Sequence, residues 1–297
     1  MDASPFAVFS NPFCPSGTEW GLVVSGLSKF SRRKNPQNAC WCAFDLYLTG
    51  FQNVYTENEK KTRTNYRSRF INRFPVALLE DNMPYCWWVL KHLKKFTELC
   101  TKSYADDRID KSLIKLIHFL VFNVANQDKC RMLQHLREVG DNEFKMIEKA
   151  TPGQAVSVFL DIVKGYDDFD SKIVDDCICV YKMRKKPIIL SAAFSYVKYH
   201  HLFSQPKTVS LQSSVRTALA RYINGLMIPD WKIYPFLFDK HVSSSVAKKY
   251  SVNPVRGWKG FIENEEKVCW DYAPTELKNN HFCVDLKNKY EQKRLTE

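Results

Sequence analysis

The sequence predicts an all-α protein with a compact body of about ten or more helices. Apolar residues recur at the i, i+3, i+4 spacing of a helix that buries one face, and no segment alternates apolar and polar residues over several positions. Glycine and proline, which interrupt helices, are sparse through the middle of the chain. At 297 residues the chain is long enough to bury a substantial core.

Composition divides the chain into three predicted parts. Residues 1–20 are broken by prolines and a glycine and are expected to form an extended arm. Residues 21–252 carry the helical patterns and form the predicted helical domain. Residues 253–297 open with a proline and two glycines and contain a second proline, so a loop-rich C-terminal appendix is predicted.

Each predicted helix has its own signal. The first, at about residues 21–31, ends in cations, as the helix dipole favours. Asn35 supplies an N-cap and Pro36 takes the first helical position, which predicts a helix at 36–48. In a third helix at 62–79, Pro75 is expected to kink or restart the chain. Thr151 and Pro152 predict another start of the Asn35 kind. Apolar periodicity predicts the others at 83–101, 112–127, 128–138, 142–149, 170–183, 188–203, 211–225 and 240–250.

The net charge is +12, and residues 60–73 hold six cations and no acid. Such a block attracts polyanions, so nucleic acid is the first candidate partner, although a basic surface can also serve solubility alone. Tyr66, Phe70 and Phe74 form an apolar stripe on the predicted helix, with arginines on both flanks. These arginines are suited to clamping phosphates or to pairing with carboxylates of a neighbouring subunit.

A second basic cluster ends the first predicted helix, where it either complements the dipole or extends the same basic face. Contact with the nucleic-acid backbone is expected to be largely independent of base sequence. The predicted nucleic-acid-binding residues are Arg32, Arg33, Lys34, Lys60, Lys61, Arg63, Arg67, Arg69 and Arg73.

No cofactor, metal or catalytic site is predicted. The sequence contains no G-x4-G-K-S/T loop, G-x-G-x-x-G turn or H-E-x-x-H motif. Glu80 and Asp81 precede a predicted helix, where acids serve as caps, and an enzyme site around Asp239 and His241 ranks well below the other hypotheses. The ten cysteines are scattered through apolar stretches, which indicates buried free thiols and a reducing compartment, the nucleus or cytoplasm.

Two segments, "VSGLSKFSRRKNPQNACWCAFDLYL" and "INRFPVALLEDNMP", together resemble the C-terminal region of the replication-associated recombination ATPases, a clamp-loader-like AAA+ family. Asn82 stands where that family has glycine, and the family's nucleotide-binding loop is absent. The resemblance implies an all-α collar or oligomerisation fold in DNA replication and repair, and not ATP hydrolysis. The matching residues are Ser25, Lys29, Arg32, Pro36, Ala39, Trp41, Arg73, Glu80 and Asp81.

Two functional hypotheses follow. The first is a non-enzymatic, nucleic-acid-associated assembly protein, an accessory of DNA replication, recombination or repair that forms a homo-oligomer. The alternative is a viral structural protein, a capsid, nucleocapsid or other virion component, whose arm and aromatic C-terminal segment dock on neighbouring subunits. No membrane span is expected, since the longest apolar run, "LIKLIHFLVFNVA", is short and contains Lys115 and His118.

Overall fold

A computed structural model describes residues 13–53, 55–83, 86–203, 208, 229, 237, 244–251, 259–260 and 262–296. These residues form an all-α structure, which confirms the predicted fold class. Extended pairing within them is limited to one isolated bridge between Phe13 and Glu19. The predicted helix at 211–225 and the Asp239–His241 segment lie outside the described residues, as does most of the predicted N-terminal arm.

Between residues 20 and 202 the helices are joined by short connections, and further described helices lie between residues 244 and 296. In chain order they are α1 (Trp20–Arg32), α2 (Pro36–Thr49), α3 (Glu57–Leu79), α4 (Trp87–Ala105), α5 (Lys111–Asn126), α6 (Met132–Val139), α7 (Asn142–Lys149), α8 (Ala155–Val163), α9 (Ser171–Arg184), α10 (Pro187–Tyr199) with a 3-10 turn at His200–Leu202, α11 (Ser244–Lys249), a π-helical turn (Ile262–Glu266), α12 (Lys267–Asp271), α13 (Thr275–Lys278) and α14 (His281–Thr296).

Side-chain N-caps explain the starts of five helices, α2, α3, α5, α7 and α9. The side chain of Asn35 accepts a hydrogen bond from the Asn38 amide, and Pro36 opens α2, as predicted. Thr56 and Glu59 form a capping box, so α3 begins five residues before its predicted start. The start predicted at Thr151 and Pro152 is wrong, because those residues form a turn and α8 begins at Ala155.

Helix α2 lies at the centre of the core. It is buried around almost its whole circumference and packs against α1, α3 and α5. Further helices extend this core: α4 packs on α9, α9 on α10, and α14 on α6. Between α3 and α4 the Phe74 and Phe96 rings stack with centroids 4.6 Å apart. This aromatic packing fixes the orientation of α3, the helix with the predicted basic face.

Pro75 does not end α3, which continues to Leu79. The predicted restart of the helix is therefore wrong, and the alternative of a kink within a continuous helix stays a prediction. Pro75 is itself buried, and the residues after it, Ala77, Leu78 and Leu79, are also buried. Burial of this apolar last turn compensates for the backbone hydrogen bond that proline cannot donate.

A loop-rich appendix was predicted for residues 253–297. The prediction is wrong for residues 262–296, which are mostly helical. Cys283, Leu286 and Tyr290 recur at intervals of three and four and are all buried. These side chains pack α14 on the body of the protein, and this tertiary packing outweighs the weak local signal. Among the described residues, no helix has both the length and the apolarity needed to cross a bilayer.

We predict that Gly50→Ala destabilises the protein by about 1–3 kcal/mol. A Cβ atom at Gly50 would lie 2.5 Å from Cε1 of the Tyr104 ring. That ring has little freedom to move, because Tyr104 is buried and its hydroxyl donates a 3.0 Å hydrogen bond to the Tyr47 carbonyl. Denaturant unfolding measures the change. Gly153→Ala is the control, since a Cβ there meets no atom within 4 Å, and equal stability of the two variants contradicts the prediction.

Candidate functional site

Five charged side chains from four parts of the chain meet in the interior, and we call them the ionic cluster: Arg32, Asp81, Arg131, Glu265 and Glu266. Arg32 ends α1, Asp81 follows α3, Arg131 precedes α6, and the two glutamates end the π-helical turn. Each side chain is between 1% and 5% exposed. The cluster therefore joins the C-terminal segment to the N-terminal helices inside the protein.

Asp81 is the centre of the cluster because it binds both arginines. Its Oδ2 accepts from Nη2 of Arg32 at 2.6 Å and from Nε at 3.1 Å. Its Oδ1 accepts from Nη1 of Arg131 at 2.6 Å. The Asp81 carbonyl also accepts a 3.0 Å hydrogen bond from the Cys130 amide. Charge-assisted hydrogen bonds of this kind are among the strongest in proteins.

The two glutamates complete the arrangement. Arg32 Nη1 pairs with Glu265, and Arg131 Nε lies 2.6 Å from Glu266 Oε1. His135 Nε2 lies 3.0 Å from Glu266 Oε2. Although burial disfavours its ionised form, the charge of Arg131 and the hydrogen bond from His135 lower the pKa of Glu266 to about 2. For Asp81 burial likewise opposes ionisation, but Arg32 and Arg131 hold its pKa below the usual value.

This geometry corrects the assignment of Arg32 to a nucleic-acid surface. Its guanidinium is buried and paired with two carboxylates, so a phosphate outside the protein has no access to it. Arg33 is also largely covered and donates to Glu265 Oε1 and to the Asn264 carbonyl, each at 3.0 Å. Lys34 is more exposed and pairs with Asp128 at 2.8 Å. The basic end of α1 thus binds acids of the same chain.

The predicted capping role of Asp81 is also wrong. Asp81 lies six residues before α4, which begins at Trp87, and its carboxylate is used by the two arginines. Sequence reasoning also missed Arg131, Glu265 and Glu266. One local signal was present: Asp81 falls seven residues after Phe74, on the continuation of the apolar stripe of α3. An acid on a buried stripe indicates a buried partner.

Lys129 lies next to the ionic cluster and is fully buried. Its Nζ donates to Asn82 Oδ1 at 2.9 Å and to the Val124 carbonyl at 2.6 Å. Both partners are uncharged, and burial lowers the pKa of Lys129 to about 7. Lys129 also lines a cavity of about 10 Å³ with residues that include Glu266 and Cys269. That volume is sufficient for about one water molecule, not for an organic substrate.

The arginines of α3 divide into two groups. Arg67 binds its own chain: Nε donates to the Gly50 carbonyl and Nη1 to the Tyr104 carbonyl, both at 2.7 Å, and Nη2 pairs with Asp107. Arg63 Nη1 lies 3.4 Å from Asp107 Oδ2. Neither use predicted for these two arginines, phosphate clamping or pairing with a neighbouring subunit, is what the structure shows: both pair with a carboxylate of their own chain. Arg67 consequently connects α3 to the chain segments after α2 and α4.

The other cations of α3 face outward. Lys60, Lys61 and Arg69 are exposed, and Arg73 is partly exposed. Lys60 makes a surface ion pair with Glu57 at 3.6 Å, with the lysine 64% exposed. Such pairs contribute little and leave the ammonium accessible. The predicted basic face is therefore smaller than the charge run suggests.

All ten cysteines are free thiols and nine are buried, which confirms the predicted placement. Burial raises the pKa of the Cys40 and Cys177 thiols, so the neutral form is favoured.

No family model matches the chain, and neither the curated proteins nor the solved structures contain a significant match.

We predict that Asp81→Asn lowers the free energy of unfolding by about 3–5 kcal/mol, because it leaves two buried arginines with one carboxylate fewer. Chemical denaturation at neutral pH measures the loss. The control is Asp161→Asn, which removes a surface ion pair with Lys164 whose partners are 68% and 75% exposed, and its expected effect is within about 1 kcal/mol. A similarly small effect of Asp81→Asn contradicts the role assigned to the cluster.

Lys129 predicts a pH dependence of stability. The unfolded chain keeps the lysine proton up to its ordinary pKa of 10.5, whereas the folded protein releases it above about 7. The unfolded state therefore binds more protons in this window, and the lysine contributes about 1–2 kcal/mol more stability at pH 8.5 than at pH 7. Denaturant titrations of wild type and Lys129→Met measure this difference.

Lys129→Met is expected to remove the contribution of Lys129 to the rise of the unfolding free energy with pH. Lys145→Met, at an exposed lysine of α7, is expected to retain it. The comparison is made below about pH 9, because buried thiols begin to oppose the trend near the usual thiol pKa. Identical slopes for wild type and Lys129→Met contradict the assignment.

Proposed function

We propose that this chain is a non-enzymatic, nucleic-acid-associated protein, an accessory of DNA replication, recombination or repair that binds polyanion backbone through α3. The observation that carries the proposal is the exposure of Lys60, Lys61 and Arg69 on one helix that has no acid from residue 60 to its end at Leu79. Other cations of the predicted set serve ion pairs within the protein. The side chains of these three residues are exposed to solvent.

The exposed side of α3 has further donors that suit phosphate. Asn65 and Ser68 are exposed between Lys61 and Arg69. Hydroxyl, amide and guanidinium groups are the usual donors to phosphate oxygens, and they carry no base specificity. Lys61 and Arg69 are separated by about 12 Å along the helix axis. Over that length a nucleic-acid strand presents several phosphates.

Rigid support of α3 favours this function. Arg67 and the Phe70, Phe74 and Phe96 rings pack the inner side of the helix, so its outer side has one fixed orientation. A fixed set of cations loses little conformational entropy on binding. This supports α3 as a backbone-binding surface and assigns Arg63 and Arg67 to its support.

Self-association is the second part of the proposal, and the resemblance to the clamp-loader collar motivates it. The two segments that carry the resemblance contact each other through the Arg32–Asp81 ion pair. The viral structural alternative relied partly on docking of the C-terminal segment onto neighbours. In the described part of that segment, Glu265, Glu266 and Cys269 are buried within their own chain. This burial does not support docking on neighbours, so the viral structural alternative is not part of the proposal.

The proposal predicts salt-dependent binding that requires α3. Binding of a labelled DNA duplex is measured over a salt series for wild type and for the triple variant Lys60→Gln, Lys61→Gln, Arg69→Gln. Loss of up to three phosphate contacts is expected to weaken binding at low salt and to reduce the slope of log K against log salt by about 2–3. Thermal unfolding of the variant is expected to match wild type, because the three residues are exposed.

A charge-matched control separates a local site from net charge. Lys145 and Lys149 are exposed on α7, and Lys164 is exposed directly after α8. Changing these three lysines to glutamine removes the same number of positive charges as the α3 variant does. We expect this control to retain most of the affinity. Equal losses in both triple variants, or wild-type binding that is insensitive to salt, overturn the proposal. Light scattering of the nucleic-acid-free protein tests self-association. A protein that stays monomeric over the full concentration range contradicts this part of the proposal.

A further inference from the structure

A group of partly exposed aromatic rings lies between α4 and α5. Trp88 and His92 belong to α4 and Phe119 to α5, and all three are partly exposed. The Phe119 ring centroid lies 5.5 Å from that of Trp88 and 5.5 Å from that of His92, with the rings edge to face. Trp88 and His92 are 6.2 Å apart in the same geometry. We call these residues the ring group.

The ring group is held in place by the helices that carry it. Trp88 and Phe119 pack against the hydrophobic core on their inner sides. Trp88 Nε1 donates a 3.2 Å hydrogen bond to Gln127 Oε1, which fixes the rotation of the indole. The partly exposed rings are thus ordered before any ligand binds, which reduces the entropy that binding costs.

Lysines surround the ring group. Lys91 and Lys95 are exposed on α4, and Lys115 is exposed on α5 one turn before Phe119. Trp88, Lys91, His92 and Lys95 follow the i, i+3, i+4, i+7 pattern and therefore share one face of α4. Burial together with the charges of Lys95 and Lys91 lowers the pKa of His92, which indicates that both ammonium groups lie near the imidazole. This places positive charge and neutral aromatic surface side by side.

Acids near this surface do not cancel the positive charge. Asp170 lies 3.8 Å from Lys91, with the two side chains 46% and 57% exposed, so this pair is weak and accessible. Glu98 is exposed one turn beyond Lys95 on α4. Lys95 and Lys115 are the strongest phosphate-binding candidates, and Lys91 is secondary.

Aromatic rings that are flanked by cations match the chemistry of unpaired nucleic acid. A duplex hides the faces of its bases, whereas a single strand offers them for stacking, and each stacked base contributes substantially to affinity. The surface of α3 has exposed cations without such rings and suits backbone alone. The two surfaces therefore differ in the state of the nucleic acid that they favour.

We propose that the ring group and Lys91, Lys95 and Lys115 form a binding site for single-stranded nucleic acid, in which bases stack on Trp88 or Phe119 and lysines contact the backbone. The inference rests on the proposed function and adds a strand preference to it. It requires that the rings act as stacking surfaces in addition to their packing role.

The test compares two substitutions of one residue. Trp88→Phe and Trp88→Leu both remove the hydrogen bond to Gln127, but only phenylalanine keeps an aromatic face. Three ligands are used: an oligothymidine of about 16 nucleotides, a hairpin duplex, and inorganic polyphosphate, which has charge without bases. We expect Trp88→Leu to bind oligothymidine at least about five-fold more weakly than Trp88→Phe, while both bind polyphosphate equally.

Lysine variants test the charged part of the site. Lys95→Gln is expected to weaken binding of oligothymidine, and Lys145→Gln, which removes an exposed charge from α7, is expected to leave it unchanged. Thermal unfolding of every variant shows whether a loss reflects folding. Because the inference depends on the difference between phenylalanine and leucine at one position, a shared loss of stability does not imitate the expected result.

The outcomes separate this inference from the proposed function. Equal oligothymidine affinity for Trp88→Phe and Trp88→Leu overturns the single-strand site, and duplex binding that still requires Lys60, Lys61 and Arg69 then leaves the proposed function intact. A specific loss in Trp88→Leu supports the single-strand site even where the α3 variant binds duplex like wild type. Absence of binding to all three ligands by wild type overturns both.

Discussion

Asp81 joins two arginines that the sequence separates by 99 positions, Arg32 and Arg131, and its carboxylate is almost completely buried. A buried charge that loses its partner is strongly destabilising, so each member of the ionic cluster is stable only when the others are present. This requirement connects the end of α1, the turn after α3, the start of α6 and the π-helical turn. With Arg33 included, three guanidinium groups face three carboxylates, those of Asp81, Glu265 and Glu266. Lys129, adjacent to this balanced set, has no carboxylate partner among the described residues, and burial lowers its pKa.

The ionic cluster also changes how the net positive charge of the chain is interpreted. A net charge of +12 describes the whole chain, but it does not distinguish cations that bind internal acids from those that face solvent. Arg32 and Arg67 belong to the first kind, since their guanidinium groups bind groups of the same protein. Lys61 belongs to the second, since its side chain is exposed. Only the second kind can attract a nucleic acid without first breaking internal ion pairs, which would cost several kcal/mol per pair. A binding surface is therefore defined by exposure as much as by composition.

The sequence predicted local features better than distant ones. The α2 start follows from Asn35 and Pro36, two adjacent residues, and the apolar stripe of α3 follows from a regular spacing. By contrast, the burial of Arg32 depends on Asp81, 49 positions away, and on Glu265, 233 positions away. No local pattern indicates such a meeting. The helices near the C-terminus were missed for another reason: glycine and proline dominated the interpretation, although Cys283, Leu286 and Tyr290 have helical spacing. The predicted nucleic-acid-binding set thus contained exposed residues and structural ones that only tertiary contacts distinguish.

The packing between α3 and α4 has a consequence for any ligand that reaches both proposed surfaces. The Phe74 and Phe96 rings, stacked 4.6 Å apart, connect the inner sides of the two helices, and Phe70 lies 6.0 Å from Phe96. Close-packed aromatic interiors resist sliding, because a small shift loses many contacts at once. The cations of α3 and the rings of α4 consequently keep a fixed separation and direction. A flexible single strand can adjust to such an arrangement, whereas a stiff duplex contacts only those groups that already lie along its backbone. Rigidity of the protein therefore keeps the two proposed surfaces in one fixed relation, so that each retains its own ligand preference: backbone alone on α3, and stacked bases on the ring group.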